Sequence, residues 1–259
     1  MTTRPSLALA LALALAAAVA CRTAAPPATP KPPAPPSTAP AAAPAPGPLR
    51  APEAIRWSRD SAEHRALFLQ IYRAATAHVE REAAARAGGS WAVVLDADET
   101  VLDNSLYQLE RAKAGRPFDR ESWGAWCARR EAVPLPGASA FLARVRAIGG
   151  RIAIVTNRTE TECPDTEAVF RAHGLAYDAM LCRPDAGPSD KNLRFEAVAR
   201  GTAGLPPLHV VAFVGDNVQD FPDLGQAIRE KGDEAFASFG ERFFVLPNPM
   251  YGSWERNYQ

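Results

Sequence analysis

The segment VVLDADETVLDNS, residues 93–105, sets four acids behind a short apolar run: Asp96, Asp98, Glu99 and Asp103. Carboxylates this close repel one another and raise each other's pKa. A divalent cation reverses that cost, and oxygen donors with few nitrogen or sulfur partners suit Mg²⁺. Two further apolar runs end in comparable polar groups. RIAIVTNR closes on Thr156, Asn157 and Arg158, and HVVAFVGDN closes on Gly215, Asp216 and Asn217, with Asp220 one helical turn beyond. Lys191 opens a helical stretch between them. Each piece alone is commonplace: a DxD pair is usually a turn, a strand-end Thr a hydrogen-bonding terminus, a lone Lys a surface cation. Brought to one crevice, the acids become favourable if a divalent cation binds them.

The elements that would have to position them read as α/β. WAVVLDAD (91–98), RIAIVTNR (151–158) and HVVAFVGDN (209–217) are continuous apolar strands, as in a parallel sheet buried on both faces. AMLC (179–182) and RFFVLP (242–247) add short strands. Helical spacing is read over 61–88, 136–150 and 164–173, and over 189–201 from an N-cap at Ser189. Asp220–Lys231 and Asp233–Phe239 are also expected to be helical. Residues 104–134, with aromatics among charges and no strand period, read as a mainly helical insertion. Strands alternating with helices give a parallel sheet covered on both faces, with ligands outside the carboxyl ends of the strands.

The rest of the chain bounds the setting. Its 259 residues carry a formal net charge of zero, so nothing favours a nucleic-acid polymer as partner. Residues 1–20 place Arg4 before an uninterrupted Leu/Ala run that ends in small residues, the pattern of a secretory signal peptide. Ala18-Val19-Ala20-Cys21 resembles a bacterial lipobox, which implies cleavage before Cys21 and lipid attachment to it. Residues 21–52 are a Pro/Ala-rich linker able to reach on the order of 90 Å. The expected protein is therefore exported and lipid-anchored to a bacterial membrane, the outer membrane foremost, facing periplasm or cell surface. With Cys21 lipidated, Cys127, Cys163 and Cys182 allow at most one disulfide, of unspecified pairing.

The strand-end residues resemble the haloacid dehalogenase (HAD) superfamily of phosphohydrolases. DxDxT matches Asp96, Asp98 and Thr100, and the Ser/Thr motif matches Thr156. The third-motif lysine is Lys191, and GDxxxD matches Asp216 and Asp220. LDADETVLDNS, PFDRESWGAW, IVTNR, VGDNVQDF and LPNPMYGSWE are similar to the class C acid phosphatases, a likeness running from about Ser58 to Glu255.

The resemblance implies a HAD-like Rossmannoid domain over 53–259. A small mainly helical cap occupies about 104–134, and an N-terminal helix spans 58–88. It implies a Mg²⁺-dependent acid phosphatase acting on phosphomonoesters, nucleoside 5′-monophosphates and small aromatic phosphates among them. Asp96 would be the nucleophile and Asp98 the general acid and base. Mg²⁺ would be held by the Asp96 carboxylate, the Asp98 backbone carbonyl and the Asp216 carboxylate. Thr156 and Lys191 would grip the phosphoryl oxygens, with Asp220 and Thr100 in support: Asp220 orienting Lys191 or a metal-bound water, Thr100 steadying the loop. Trp123 and Tyr251 would sandwich a ring, and Asn157 completes the substrate-binding set. Glu99 and Asp103 are expected to cap loops or face solvent, and Asn217 to serve a turn or the phosphate site. Phe118, Trp126 and Trp254 are expected in the core, and His64 and His78 on the N-terminal helix surface. The competing readings are phosphotransfer to an alcohol on the same scaffold, and a lipid-anchored protein that binds haem or a partner.

Overall fold

The computed structural model describes residues 50–258 apart from Ala203. The signal segment, Cys21 and most of the linker lie outside the described residues. In chain order the elements are α1 (Glu53–Asp60), α2 (Ala62–Ala83), β1 (Trp91–Leu95), β2 (Leu102–Asp103), α3 (Ser105–Lys113), α4 (Arg120–Arg129), β3 (Val133–Pro134), α5 (Ala138–Ala147), β4 (Arg151–Thr159), α6 (Cys163–Ala172), β5 (Ala179–Arg183), α7 (Asn192–Arg200), β6 (His209–Gly215) and β7 (Phe243–Val245).

β1 is the centre of a parallel sheet of order β5-β4-β1-β6-β7. All five of its residues are buried because both faces are covered. Side chains alternate across a strand, so the continuous run divides into two cores. Val93 and Leu95 face α2, α5 and α6 through Phe68, Phe141 and Phe170. Ala92 and Val94 face α7 through Phe195 and Val198. The expected HAD-like α/β architecture, with helices on both faces, is the one observed.

Several expectations are corrected. The N-terminal helix is two helices. Ser61 is extended between them, and its hydroxyl caps α2 by accepting the His64 amide at 3.1 Å. His64 and His78 are buried, not on the surface. His64 packs between Trp57 and Phe68, and burial pushes its pKa down. His78 Nε2 is 2.9 Å from the carbonyl of Val211, tying α2 to β6. Both follow from α2 lying across the sheet, where its inner face leaves no solvent side. α7 starts at Asn192, not Ser189, because Asp190 Oδ1 accepts the Asn192 amide at 2.7 Å. Residues 218–236 hold three short 3₁₀ segments in place of two longer helices. Pro222, Gly225 and Gly232 interrupt that stretch.

The insertion is helical in α3 and α4, as expected, but an unforeseen two-stranded ribbon closes its base. Leu102 pairs with Pro134 and Asp103 with Val133, antiparallel. Two-residue strands are too short to show a period. Cys163 and Cys182 form the disulfide, linking the start of α6 to edge strand β5. Closing a loop of 19 residues contributes about 3 kcal/mol in the chain-entropy model. Cys127 is free and buried. Among the described residues no helix is long and apolar enough to cross a membrane.

Candidate active site

The carboxyl ends of β1, β4 and β6 are adjacent, so their terminal residues meet. Asp96 follows β1 and donates its amide to Val214 O at 3.0 Å, still in register with β6. The chain then turns sharply: the amides of Val101 and Leu102 both donate to Ala97 O, at 2.9 and 2.8 Å. Glu99 sits in this turn at φ 49°, in the left-handed region where non-glycine residues are uncommon. β6 ends at Gly215, where a Cβ would stand 2.3 Å from the Cβ of Asp220. Only glycine lets Asp220 fold back beside Asp216.

Lys191, at the N-cap position of α7, is buried. Its Nζ lies 2.7 Å from Asp96 Oδ1 and 2.7 Å from Asp220 Oδ1. Burial opposes its charge, but Asp220 and Asp96 outweigh that, and its pKa rises. Asp96, Asp216 and Asp220 each bring an oxygen within 4.8 Å of the other two. Burial pushes Asp96 up to about 7; Lys191 opposes the shift, and Asp220 and Asp98 add to it. Burial, then Asp220 and Asp96, hold Asp216 well above the ordinary carboxylate range.

The group therefore carries more negative charge than one lysine balances. Asp96 is held to Lys191 through Oδ1 at 2.7 Å. Three clustered carboxylates beside the Lys191 ammonium offer the oxygen donors that fit a divalent cation.

Asp96, Asp98, Asn157, Lys191, Asp216 and Asp220 all line one cavity of about 530 Å³. Trp123 from α4 and Tyr251 from the C-terminal tail line the same cavity. Thr156 and Thr100 do not. Both are fully buried: the Thr156 hydroxyl accepts the Arg158 amide at 3.1 Å, and the Thr100 hydroxyl donates to Asp216 Oδ1 at 3.3 Å. Thr100 thus steadies an acid, not merely its own loop. Asp220 Oδ1 accepts from Lys191 Nζ at 2.7 Å. Asn217 serves the turn, its side chain accepting the Gln219 amide, and it also borders the cavity. Phe118 is not core: it is 54% exposed and stands in the cavity wall. Trp126 is buried, and Trp254 is only half-buried.

Glu99 caps its loop by accepting the Asn104 amide at 2.9 Å, but it is buried, and burial holds its pKa well above normal. The hydroxyl of Tyr251 donates to Glu99 Oε2. Asp103 caps the Ser105 amide at 2.7 Å.

Three polar residues at the site, Arg194, Asn248 and Asn104, were not anticipated, and Arg158, read among the strand-end groups, carried no expected role. Arg158 is 1% exposed, lies 2.8 Å from Asp98 Oδ1 as an ion pair, and has its guanidinium 5.5 Å from the Trp123 ring centroid. Its place at the end of an apolar strand put it among the strand-end groups, but nothing there announced Asp98 as its partner. Arg194 donates to Thr156 O and, at 2.7 Å, to Asn157 Oδ1, fixing the end of β4. Asn248 donates to Asp216 Oδ2 at 2.8 Å, and Asn104 donates to Asp98 Oδ1 at 2.9 Å. Nothing in the spacing of Arg194 or Asn248 announces these contacts.

Comparison with known proteins points to one family. Residues 37–254 match the family model described as HAD superfamily, subfamily IIIB (acid phosphatase). The class C acid phosphatase of Bacillus anthracis is 30% identical in sequence, with a TM-score of 0.69 over 80% of this chain and 88% of that one. The same enzyme with tungstate bound superposes with a TM-score of 0.68 at 30% identity, over 78% of this chain and 85% of that one. The stem 28 kDa glycoprotein of Glycine max is 24% identical over 160 residues, 61% of this chain; the match spans 58% of the soybean protein's length. The chain belongs to subfamily IIIB of the HAD superfamily, a family of acid phosphatases that act as phosphomonoesterases.

Proposed function

We propose that the protein hydrolyses phosphomonoesters, nucleoside 5′-monophosphates and small aromatic phosphates foremost, through an aspartyl-phosphate on Asp96, with Mg²⁺ as cofactor. The observation that carries this reading is the convergence of Asp96, Lys191 and Asp216 on one cavity. Tungstate, bound by the Bacillus enzyme, is a tetrahedral oxyanion like phosphate, which supports an oxyanion site here.

In the first half-reaction a carboxylate oxygen of Asp96 attacks phosphorus in line and the bond to the leaving oxygen breaks. Asp98 gives that oxygen its proton. In the second, Asp98 takes a proton from water, which attacks the phosphoryl group and frees Asp96 and inorganic phosphate. Lys191 holds equatorial oxygens where negative charge gathers. Thr156, buried within β4, accepts the Arg158 amide and with it steadies the irregular end of the strand that presents Asn157. The Asp96 and Asp216 carboxylates and the Asp98 carbonyl would hold Mg²⁺, which supplies charge neutralisation between nucleophile and phosphate when bound.

Metal removal tests this. EDTA should lower phosphate release from a nucleotide panel at least about 100-fold, and Mg²⁺ should restore it. Stability should follow the acids. In the metal-free protein the folded state holds Asp96's proton up to about 7, against 3.8 normally. Between those values the folded state binds more protons than the unfolded, so stability falls as pH rises through that window. The metal-free protein should melt higher at pH 5 than at pH 7.5, and the Mg²⁺-induced rise in Tm should be larger at pH 7.5. A Tm indifferent to Mg²⁺ at both pH values would argue against the site.

Trp123 and Tyr251 give the cavity flat faces that stack on a ring without reading its identity. Stacking of this kind is worth roughly 1–3 kcal/mol per base. Trp123→Ala should raise KM for a nucleoside 5′-monophosphate about tenfold or more, and raise it less for a ring-free phosphomonoester. Equal effects on both would remove Trp123 from ring binding. Export and lipid anchoring through Cys21 complete the proposal. The Cys163–Cys182 disulfide supports an oxidising compartment, and metabolic labelling with a radioactive fatty acid, lost in Cys21→Ser, tests the anchor.

A further inference from the structure

Asn104 occupies the N-cap position of α3, yet its side chain makes no capping bond. Asparagine at an N-cap ordinarily spends its side-chain oxygen on a helix amide. Here Asp103 takes the Ser105 amide, and the fully buried Asn104 amide group is committed elsewhere. Its Oδ1 accepts from Trp126 Nε1 at 2.8 Å and from Arg158 Nη2 at 3.0 Å. Its Nδ2 donates to Asp98 Oδ1 at 2.9 Å. The same Asp98 oxygen accepts Arg158 Nε at 2.9 Å and pairs with Nη2 at 2.8 Å. Oδ1 of Asp98 is thereby saturated with donors, while Asp98 itself borders the cavity.

We propose that Asn104 is a positioning residue for proton transfer: with Arg158 it immobilises Oδ1 of Asp98, so that Oδ2 is the oxygen that serves the leaving group. The inference rests on the reading of Asp98 as the proton donor. As Asp96 forms its bond to phosphorus and the ester P–O bond breaks, the proton passes from Asp98 Oδ2 to the departing oxygen. Trp126, on α4, sets the Asn104 amide, so the cap and the proton donor form one braced unit.

Paired esters with rings of similar size separate positioning from bulk structure. p-Nitrophenolate departs readily without a proton, whereas phenolate gains much more from receiving one. kcat/KM reports the steps up to phosphorylation of Asp96. For Asn104→Ala, kcat/KM on phenyl phosphate should fall about 100-fold, and on p-nitrophenyl phosphate less than about tenfold. Trp126→Phe removes the indole N–H donor while keeping an aromatic ring at the site. It should shift the ratio of the two substrates the same way by about threefold, and it carries the test if Asn104→Ala fails to fold. Equal losses on both esters would assign Asn104 a purely structural role and overturn the inference. A parent protein that hydrolyses both esters, with an unchanged ratio in the variants, would overturn this inference alone. A parent that hydrolyses neither would overturn the phosphatase reading and this inference with it.

Discussion

Asp96→Asn should lower kcat on any phosphomonoester by at least about 10⁴-fold, the range seen when a covalent nucleophile is removed from an enzyme that uses one. The substitution keeps the shape of the side chain and one oxygen, but an amide is a poor nucleophile toward phosphorus. Asp96 Oδ1 pairs with Lys191 Nζ at 2.7 Å, which holds the carboxylate beside the ammonium that would grip the phosphoryl group. The asparagine variant also removes one negative charge from a group in which Asp96 and Asp216 already resist ionisation. Its metal-free form should therefore fold at least as stably as the parent while being inactive. Single-turnover assays with a radiolabelled ester provide the check: the parent should yield an acid-stable, hydroxylamine-sensitive phosphoprotein, and the variant none. Retention of most activity would end the nucleophile assignment.

Lys191→Met should cost both activity and stability. The lysine contacts both Asp96 and Asp220, at 2.7 Å each. Removing one partner of a buried ionic cluster costs roughly 3–5 kcal/mol, because uncompensated charge is left behind. Methionine fills the volume, so lost packing contributes little. Phosphoryl binding should weaken by a comparable amount, giving at least about a 100-fold loss in kcat/KM. The loss of stability should be smaller at pH 5, where the stranded carboxylates take up protons more readily, than at pH 7.5. Thermal melts at the two pH values and steady-state kinetics measure both effects. Unchanged kinetics would take Lys191 out of the site.

What the sequence disclosed follows from the range of the interactions involved. β1, β4 and β6 were legible because burial on both faces forces an unbroken apolar run, and Asp96, Asp98 and Asp216 because they follow those runs directly. Lys191 was legible because it opens a helix in the right order along the chain. The resemblance supplied roles that spacing cannot: nothing local to Trp123 or Tyr251 distinguishes a ring-binding face from a core aromatic. Contacts made across the chain stayed hidden. Asn248 reaches Asp216 over 32 residues, Arg194 reaches Asn157 over 37, and Arg158 reaches Asp98 over 60. Local propensity misled where tertiary packing overrode it. His64 and His78 look like surface residues on an exposed helix, but α2 packs against β6 and α5. Thr156 shows a subtler limit: its position at the end of β4 was evident, but the hydroxyl's commitment to the Arg158 amide was not.

A crystal structure grown with Mg²⁺ and tungstate would test the central claim independently of any assay. A cation should contact the Asp96 and Asp216 carboxylates, with an oxyanion held by Lys191 beside it. An oxyanion bound elsewhere, with Asp96 and Lys191 touching neither ion, would contradict that claim.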